Sequence, residues 1–139
     1  MFDKYFLFAS TLLCGANAIF GTMKNITVTG RLYCGFGIAR EAIIELWEED
    51  TVLGIGSDDK LNVTIIDYSG RFQIYGQKKE FTNIEPYILI KHQCDTSQCD
   101  ITDRRDIPAR YLGGTYDIGS LELTVGNRGR QKSCRFGYK

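Results

Sequence analysis

The sequence predicts an all-β sandwich in one domain, and three observations carry that prediction. Apolar residues alternate with polar ones in short runs along most of the chain, the period of two that belongs to strands with one buried face. Turn signals rich in Gly and Asp separate about seven such runs at regular spacing, as in sandwiches. After an apolar leader, four cysteines remain, an even number suited to two disulfide staples. With 139 residues and 43% hydrophobic content, the chain can bury one sizeable core.

Residues 1–18 read as a secretory signal peptide. Lys4 gives a weakly positive start, diluted by Asp3, and Phe6 to Cys14 form an apolar stretch too short to span a bilayer. Ala16-Asn17-Ala18 puts small residues where a signal peptidase cleaves, so the sandwich domain is expected over 19–139, beginning at Ile19, and outside the cell. Cys14 leaves with the leader. Cys34, Cys94, Cys99 and Cys134 are then expected in disulfides, with three connectivities open. A metal site is the alternative, but zinc-type spacing asks for C-x₂-C pairs and none is present, so neither metal nor cofactor is expected. Asn25-Ile26-Thr27 and Asn62-Val63-Thr64 are sequons, which makes Asn25 and Asn62 candidate glycan acceptors.

The strands follow in order. Ile26, Val28, Leu32 and Cys34 share one face of the first run, with Gly30 interrupting it as a bulge would. Ala39 to Asp50 fits either period: Ile38, Ala42, Ile43, Leu46 and Trp47 fall at helical spacing, while Ala42, Ile44 and Leu46 alternate with Ile43, Glu45 and Trp47. A strand is expected because its neighbours are β. Gly54, Gly56, Ser57 and Asp58-Asp59 make an acidic loop, and Leu61, Val63 and Ile65 form the apolar side of a third strand. Asp67-Tyr68-Ser69-Gly70 is a tight turn in which Gly70 takes a positive φ. Phe72 and Ile74 then alternate with Arg71, Gln73 and Tyr75. Glu85-Pro86 opens the next strand, where Ile88, Ile90, His92 and Cys94 share a side. Asp95 to Asp100 is a polar loop, and Pro108 assigns any strand between Ile101 and Tyr111 to an edge. Gly113-Gly114 turns into a last strand with Leu121, Leu123 and Val125 on one face, followed by a polar, basic tail.

Lys+Arg and Asp+Glu both number 17, so global charge makes no case for nucleic acid. Charge is nonetheless segregated: every charged residue from Glu41 to Asp59 is acidic, and every one from Gly126 to Lys139 is basic. Solvated faces account for both. The functional alternative is that Arg128, Arg130, Lys132, Arg135 and Lys139 meet an anionic surface such as lipid or sulfated glycan. His92 is the only histidine and so the only side chain whose ordinary titration lies near neutrality. Its expected role is a partly buried structural one with satisfied ring nitrogens; a proton shuttle or pH sensor is the alternative. Ser57, Ser69, Ser97, Ser120 and Ser133 would all compete for that one base, and the acidic pairs Glu48-Glu49 and Asp58-Asp59 lack the spacing of a Ca²⁺ loop.

The order VTGRLYC, AIIELWEEDT, DDKLNVTIIDYSGRF, IEPYILIKHQC with a second nearby Cys, IPARY and YDIGSLEL resembles the nematode transthyretin-like family over almost the whole domain. The resemblance implies a prealbumin-like sandwich of about seven strands and secretion. It implies little chemistry, since most of that family has no settled activity. A few relatives are extracellular recognition proteins, one of which bridges exposed phosphatidylserine to a receptor. The prealbumin-like fold also hosts 5-hydroxyisourate hydrolases, which combine two histidines, an arginine and a terminal Tyr-Arg-Gly-Ser. Here there is one histidine, and the last residues are Arg135-Phe136-Gly137-Tyr138-Lys139.

Two disulfide pairings are expected on this footing. Cys94–Cys99 follows from proximity across a four-residue turn. Cys34–Cys134 follows from the parallel placement of first and last strands in a prealbumin-like sheet, with Cys134 to Cys94 as the alternative. The expected function is a secreted, non-enzymatic binding module for a lipid, a small apolar ligand or a cell-surface partner. A hydrolase and a structural extracellular protein are the alternatives.

Overall fold

The structure, a computed structural model, describes residues 21–49, 58–80, 84–126 and 128–135. The leader with its cleavage point before Ile19, the glycines of the acidic loop, Ser57 and Lys139 lie outside the described residues. The described residues form nine strands: β1 (Thr22–Cys34), β2 (Gly37–Ile38), β3 (Ile43–Glu49), β4 (Asp59–Ile65), β5 (Arg71–Glu80), β6 (Glu85–His92), β7 (Cys99–Asp106), β8 (Thr115–Glu122) and β9 (Arg130–Cys134). A 3₁₀ turn, Ala109–Tyr111, follows Pro108.

The strands form two sheets. In the first, β1 pairs antiparallel with β5 and β2 and parallel with β8. The second runs β4-β3-β6-β7-β9, antiparallel throughout. Between them lies the core: Ile26, Val28 and Leu32 of β1 and Ile74 of β5 face Ile44, Leu46, Ile88 and Ile90, all at most 1% exposed. Burying such a side chain stabilises the fold by about 1.5–3 kcal/mol each. The segment that fits two periods is a strand, because alternation puts Ala42, Ile44 and Leu46 inside at 0% exposure.

β4 and β5 close one side of the sandwich. The Asn62 Nδ2 donates to the Tyr75 carbonyl at 2.7 Å, and Lys78 bridges the buried Glu48 at 2.7 Å and Asp59. Two bulges change which residues face inward. In β4, Asn62 pairs with Leu46 but Lys60 with Trp47, so Leu61 is the extra residue. Leu61 packs on the core while Val63 and Ile65 point out, at 51% and 67% exposure, so the expected apolar side of this strand is not a single face. In β8, Gly119 takes φ 74° and an extra residue sits between the partners of Thr29 and Arg31. Tyr116 and Ile118 face in before it and Leu121 and Leu123 after it, whereas Val125 lies beyond the strand and is exposed.

The disulfides are Cys34–Cys94 and Cys99–Cys134, which corrects both expected pairings. The parallel placement of β1 and β8 holds, so the error lies in the tail. Residues 130–134 do not fold back toward Cys34; they add a ninth strand to the second sheet, with Cys134 directly opposite Cys99. Cys34 is left for Cys94, and that bond ties the end of β1 to the end of β6 across the two sheets. The same addition corrects the placement of β7. It begins at Cys99 and lies between β6 and β9, and Pro108 falls past its end.

Candidate functional site

His92 sits on the inner side of the second sheet with its side chain 1% exposed. Alternation along β6 puts it beside Ile90, and its partner across the strands is Ile101. Its Nδ1 accepts the Cys94 backbone N–H at 3.1 Å, which leaves the proton on Nε2 to be donated to Asp103 at 2.8 Å. Asp103 is 2% exposed and is also gripped by Arg130: Nε donates to Oδ1 at 2.6 Å and a terminal nitrogen to Oδ2 at 2.8 Å. The same Arg130 nitrogen reaches the Leu123 carbonyl at 2.8 Å. Burial pushes the Asp103 carboxyl up, but the Arg130 and then the His92 hydrogen bonds outweigh it and hold the carboxyl below its ordinary value. The hydrogen bond to Asp103 correspondingly raises the Arg130 guanidinium.

This triad is a closed polar network in the interior. Both ring nitrogens of His92 are used, by a carboxylate and a backbone amide. Arg130 is turned inward, apart from the other basic residues near the C-terminus. Arg128 and Lys132 are exposed, and Arg135 is exposed with Asp100 at 3.9 Å. Neither Asp103 nor Arg130 stands out as a partner of His92 in sequence. The one signal is the alternation that puts Ile101 and Asp103 on the same side of β7.

The outward face of the second sheet is a ladder of rings and charges. Trp47 and Tyr87 stack with centroids 6.4 Å apart, Lys60 lies over Trp47, and Arg104 lies 3.7 Å over Tyr87. The Tyr87 hydroxyl donates to Asp58 at 2.6 Å; burial first, then that carboxylate, raises its titration well above the ordinary range. Glu45, 6% exposed, accepts from Trp47 and pairs with Lys91 and Lys60. These groups satisfy one another.

A groove of about 870 Å³ runs over the outward face of the first sheet. Because Val28, Leu32, Phe72 and Ile74 point inward, Thr29, Arg31, Arg71 and Gln73 point out. β8 adds Asp117 beside Thr29 and Ser120 beside Arg31, and the corner at Ile65–Asp67 forms one wall. Arg31 and Arg71 are directly opposite in the antiparallel register. The Arg31 Nε donates to the Ser69 carbonyl at 2.9 Å, and its guanidinium lies 5.4 Å from the Tyr33 ring centre. Asp67 accepts from Ser69 N–H, Ser69 hydroxyl and Arg71 N–H, and Asp117 from Gly119 N–H. Hydrogen bonds from Ser69 and then Arg71 lower the Asp67 carboxyl. None of these groove residues is conspicuous in sequence; the pairing register assembles them.

The sequons are both on strands. Asn25 lies in β1 opposite Gln77, and Asn62 lies in β4 with its amide bonded to Tyr75 as above.

A model of the transthyretin-like family matches residues 29–108 of this chain. Among the proteins the chain is similar to are three of Caenorhabditis elegans. Transthyretin-like protein 16 is 32% identical over 81% of this chain and 85% of its own length. Transthyretin-like protein 2 is 33% identical over 82% and 84%, and transthyretin-like protein 46 is 37% identical over 72% and 60%.

Proposed function

This chain belongs to the transthyretin-like family, and on that premise we propose that it is an extracellular binding module that takes a small ligand in the groove on the outward face of its first sheet. The groove carries this reading. Its volume of about 870 Å³ falls in the range of small-molecule sites. Polar side chains line it from three hydrogen-bonded strands, so their positions are fixed by a rigid support and not by loops. The buried triad supports the non-enzymatic part of the reading. General acid–base work needs a base within reach of a substrate proton, and the one histidine has both nitrogens engaged at 1% side-chain exposure.

Thr29 lies at the middle of the groove and points outward, so Thr29→Trp fills the site without entering the core. Native mass spectrometry of protein recovered from its natural secretions tests the proposal. A small-molecule adduct on the wild type that is lost from recombinant Thr29→Trp after exposure to the same extract is the expected result. An adduct retained by the variant, with its fold intact by circular dichroism, contradicts it.

A further inference from the structure

We infer that the ligand of this groove carries an anionic group, a carboxylate, sulfate or phosphate, clamped between Arg31 and Arg71. The inference rests on the groove being the binding site and goes beyond it to the ligand's chemistry.

Like charges directly opposite in an antiparallel pair destabilise a sheet, yet Arg31 and Arg71 stand in that relation across β1 and β5. Such a pair is ordinarily relieved by a carboxylate. Among the described residues neither guanidinium has one within ion-pair distance, although Asp67 and Asp117 line the same groove. Both carboxylates are turned to backbone N–H groups of their own bends, Asp67 to residues 69 and 71 and Asp117 to residue 119. They soften the local field without closing on the arginines.

Arg31 is also held in place before any ligand arrives. Its Nε is bonded to the Ser69 carbonyl and its plane rests near Tyr33, which leaves the two terminal nitrogens to donate. Arg71, exposed at the start of β5, has all of its side-chain donors without a hydrogen-bond partner among the described residues. Two guanidinium forks set side by side match the oxygens of one anion, and charge-assisted bonds of this kind are about twice as strong as neutral ones. Ser120, beside Arg31 in the parallel register, adds a hydroxyl donor. The corner at Ile65 and Ile66 supplies an apolar wall, so the complementary molecule is an amphipathic organic anion: an apolar body with one charged end.

Two dyes that differ only in charge read this directly. Anilinonaphthalene sulfonate carries a sulfonate, and N-phenyl-1-naphthylamine is the same ring system without it. The wild type is expected to bind the sulfonate roughly tenfold or more tightly than the neutral dye, a preference that weakens with added salt. In the double variant Arg31→Gln, Arg71→Gln the two affinities converge, while the neutral dye binds as before. An unchanged preference in the double variant, or none in the wild type, overturns the anion clamp. Thr29→Trp separates the two ideas: loss of both dyes keeps the groove as the site whatever the arginines do, and retention of both removes the groove itself. Arg71→Gln alone, at an exposed position, serves if the double variant does not fold. Displacement of the sulfonate dye by soluble dodecanoate or by phosphatidylserine vesicles then tells a free anion from a lipid headgroup, and failure of both overturns the amphipathic anion as the ligand.

Discussion

At the scale of single residues, the interior triad makes the firmest predictions. His92→Gln is expected to cost about 1–3 kcal/mol, the penalty for disturbing buried hydrogen bonds, while dye binding in the groove stays unchanged. Denaturant melts paired with dye titrations check both halves, and loss of binding at unchanged stability contradicts the structural role. Arg130→Gln should cost more, about 3–5 kcal/mol, because it strands a buried carboxylate. The pH dependence follows from Asp103, whose carboxyl titrates below its ordinary 3.8 in the folded protein. Its stabilisation is therefore complete above that value and is lost as pH falls through the lowered one. Acid melts of the wild type should hold down to about pH 4 and then decline, and Arg130→Gln, which removes the largest cause holding the Asp103 carboxyl down, should start less stable but lose less over that acid range. An acid decline of the same size in both proteins contradicts the role given to Arg130. The inward orientation of His92 was legible in sequence from the alternation Ile88, Ile90, His92. Its partners were not, because a period of two places residues on a face without saying which strands lie side by side.

At the scale of elements, two bulges and one added strand mark where the sequence misleads. Phase holds along β1, β3, β5 and β6, where the inward residues keep a period of two and Gly30 takes one of the inward places. It breaks at Leu61 and at Gly119, where an extra residue reverses the faces; a glycine hints at the second, and nothing in the composition hints at the first. Gly30 is the interruption read as a bulge, and the register does shift there against β8. A Cβ at Gly30 would lie 2.5 Å from Ile118 Cγ1 and 2.8 Å from Phe72 Cε1. Gly30→Val is accordingly expected to lower stability by about 1–3 kcal/mol through overpacking, measured by chemical denaturation; a neutral result contradicts the packing of β8 on β1. β9 escaped notice because its residues, Arg130 to Cys134, are polar and basic and show no apolar alternation. Its attachment decides the disulfides. Non-reducing peptide mapping should recover Cys34 joined to Cys94 and Cys99 joined to Cys134, and a Cys94–Cys99 peptide contradicts the fold of the tail. Loops of 60 and 35 residues give chain-entropy contributions of about 4 kcal/mol for each bond. Cys99→Ser, Cys134→Ser should also open β9 to trypsin at Arg130 and Lys132 while the rest of the sandwich resists.

At the scale of the whole molecule, the fold class was legible because it depends on periodicity and turn spacing, which are local. The candidate site was not, because it exists only through register: Arg31 and Arg71 are forty positions apart in the chain and opposite each other in the sheet. The resulting division of labour is between the two sheets. The second buries the histidine, two disulfide cysteines and the acids Glu45, Glu48 and Asp103, and closes its outward face with the Trp47–Tyr87 ladder. The first presents a groove whose guanidinium donors meet no carboxylate among the described residues. Amide chemical-shift mapping during titration with anilinonaphthalene sulfonate tests whether that groove is the binding site. Shifts confined to the middle of β1, the start of β5, the Ile65–Asp67 corner and the Asp117–Ser120 bulge are the predicted result. Shifts centred on the outward face of the second sheet, around Trp47, Tyr87 and Arg104, or binding with the β1 and β5 amides undisturbed, would contradict it.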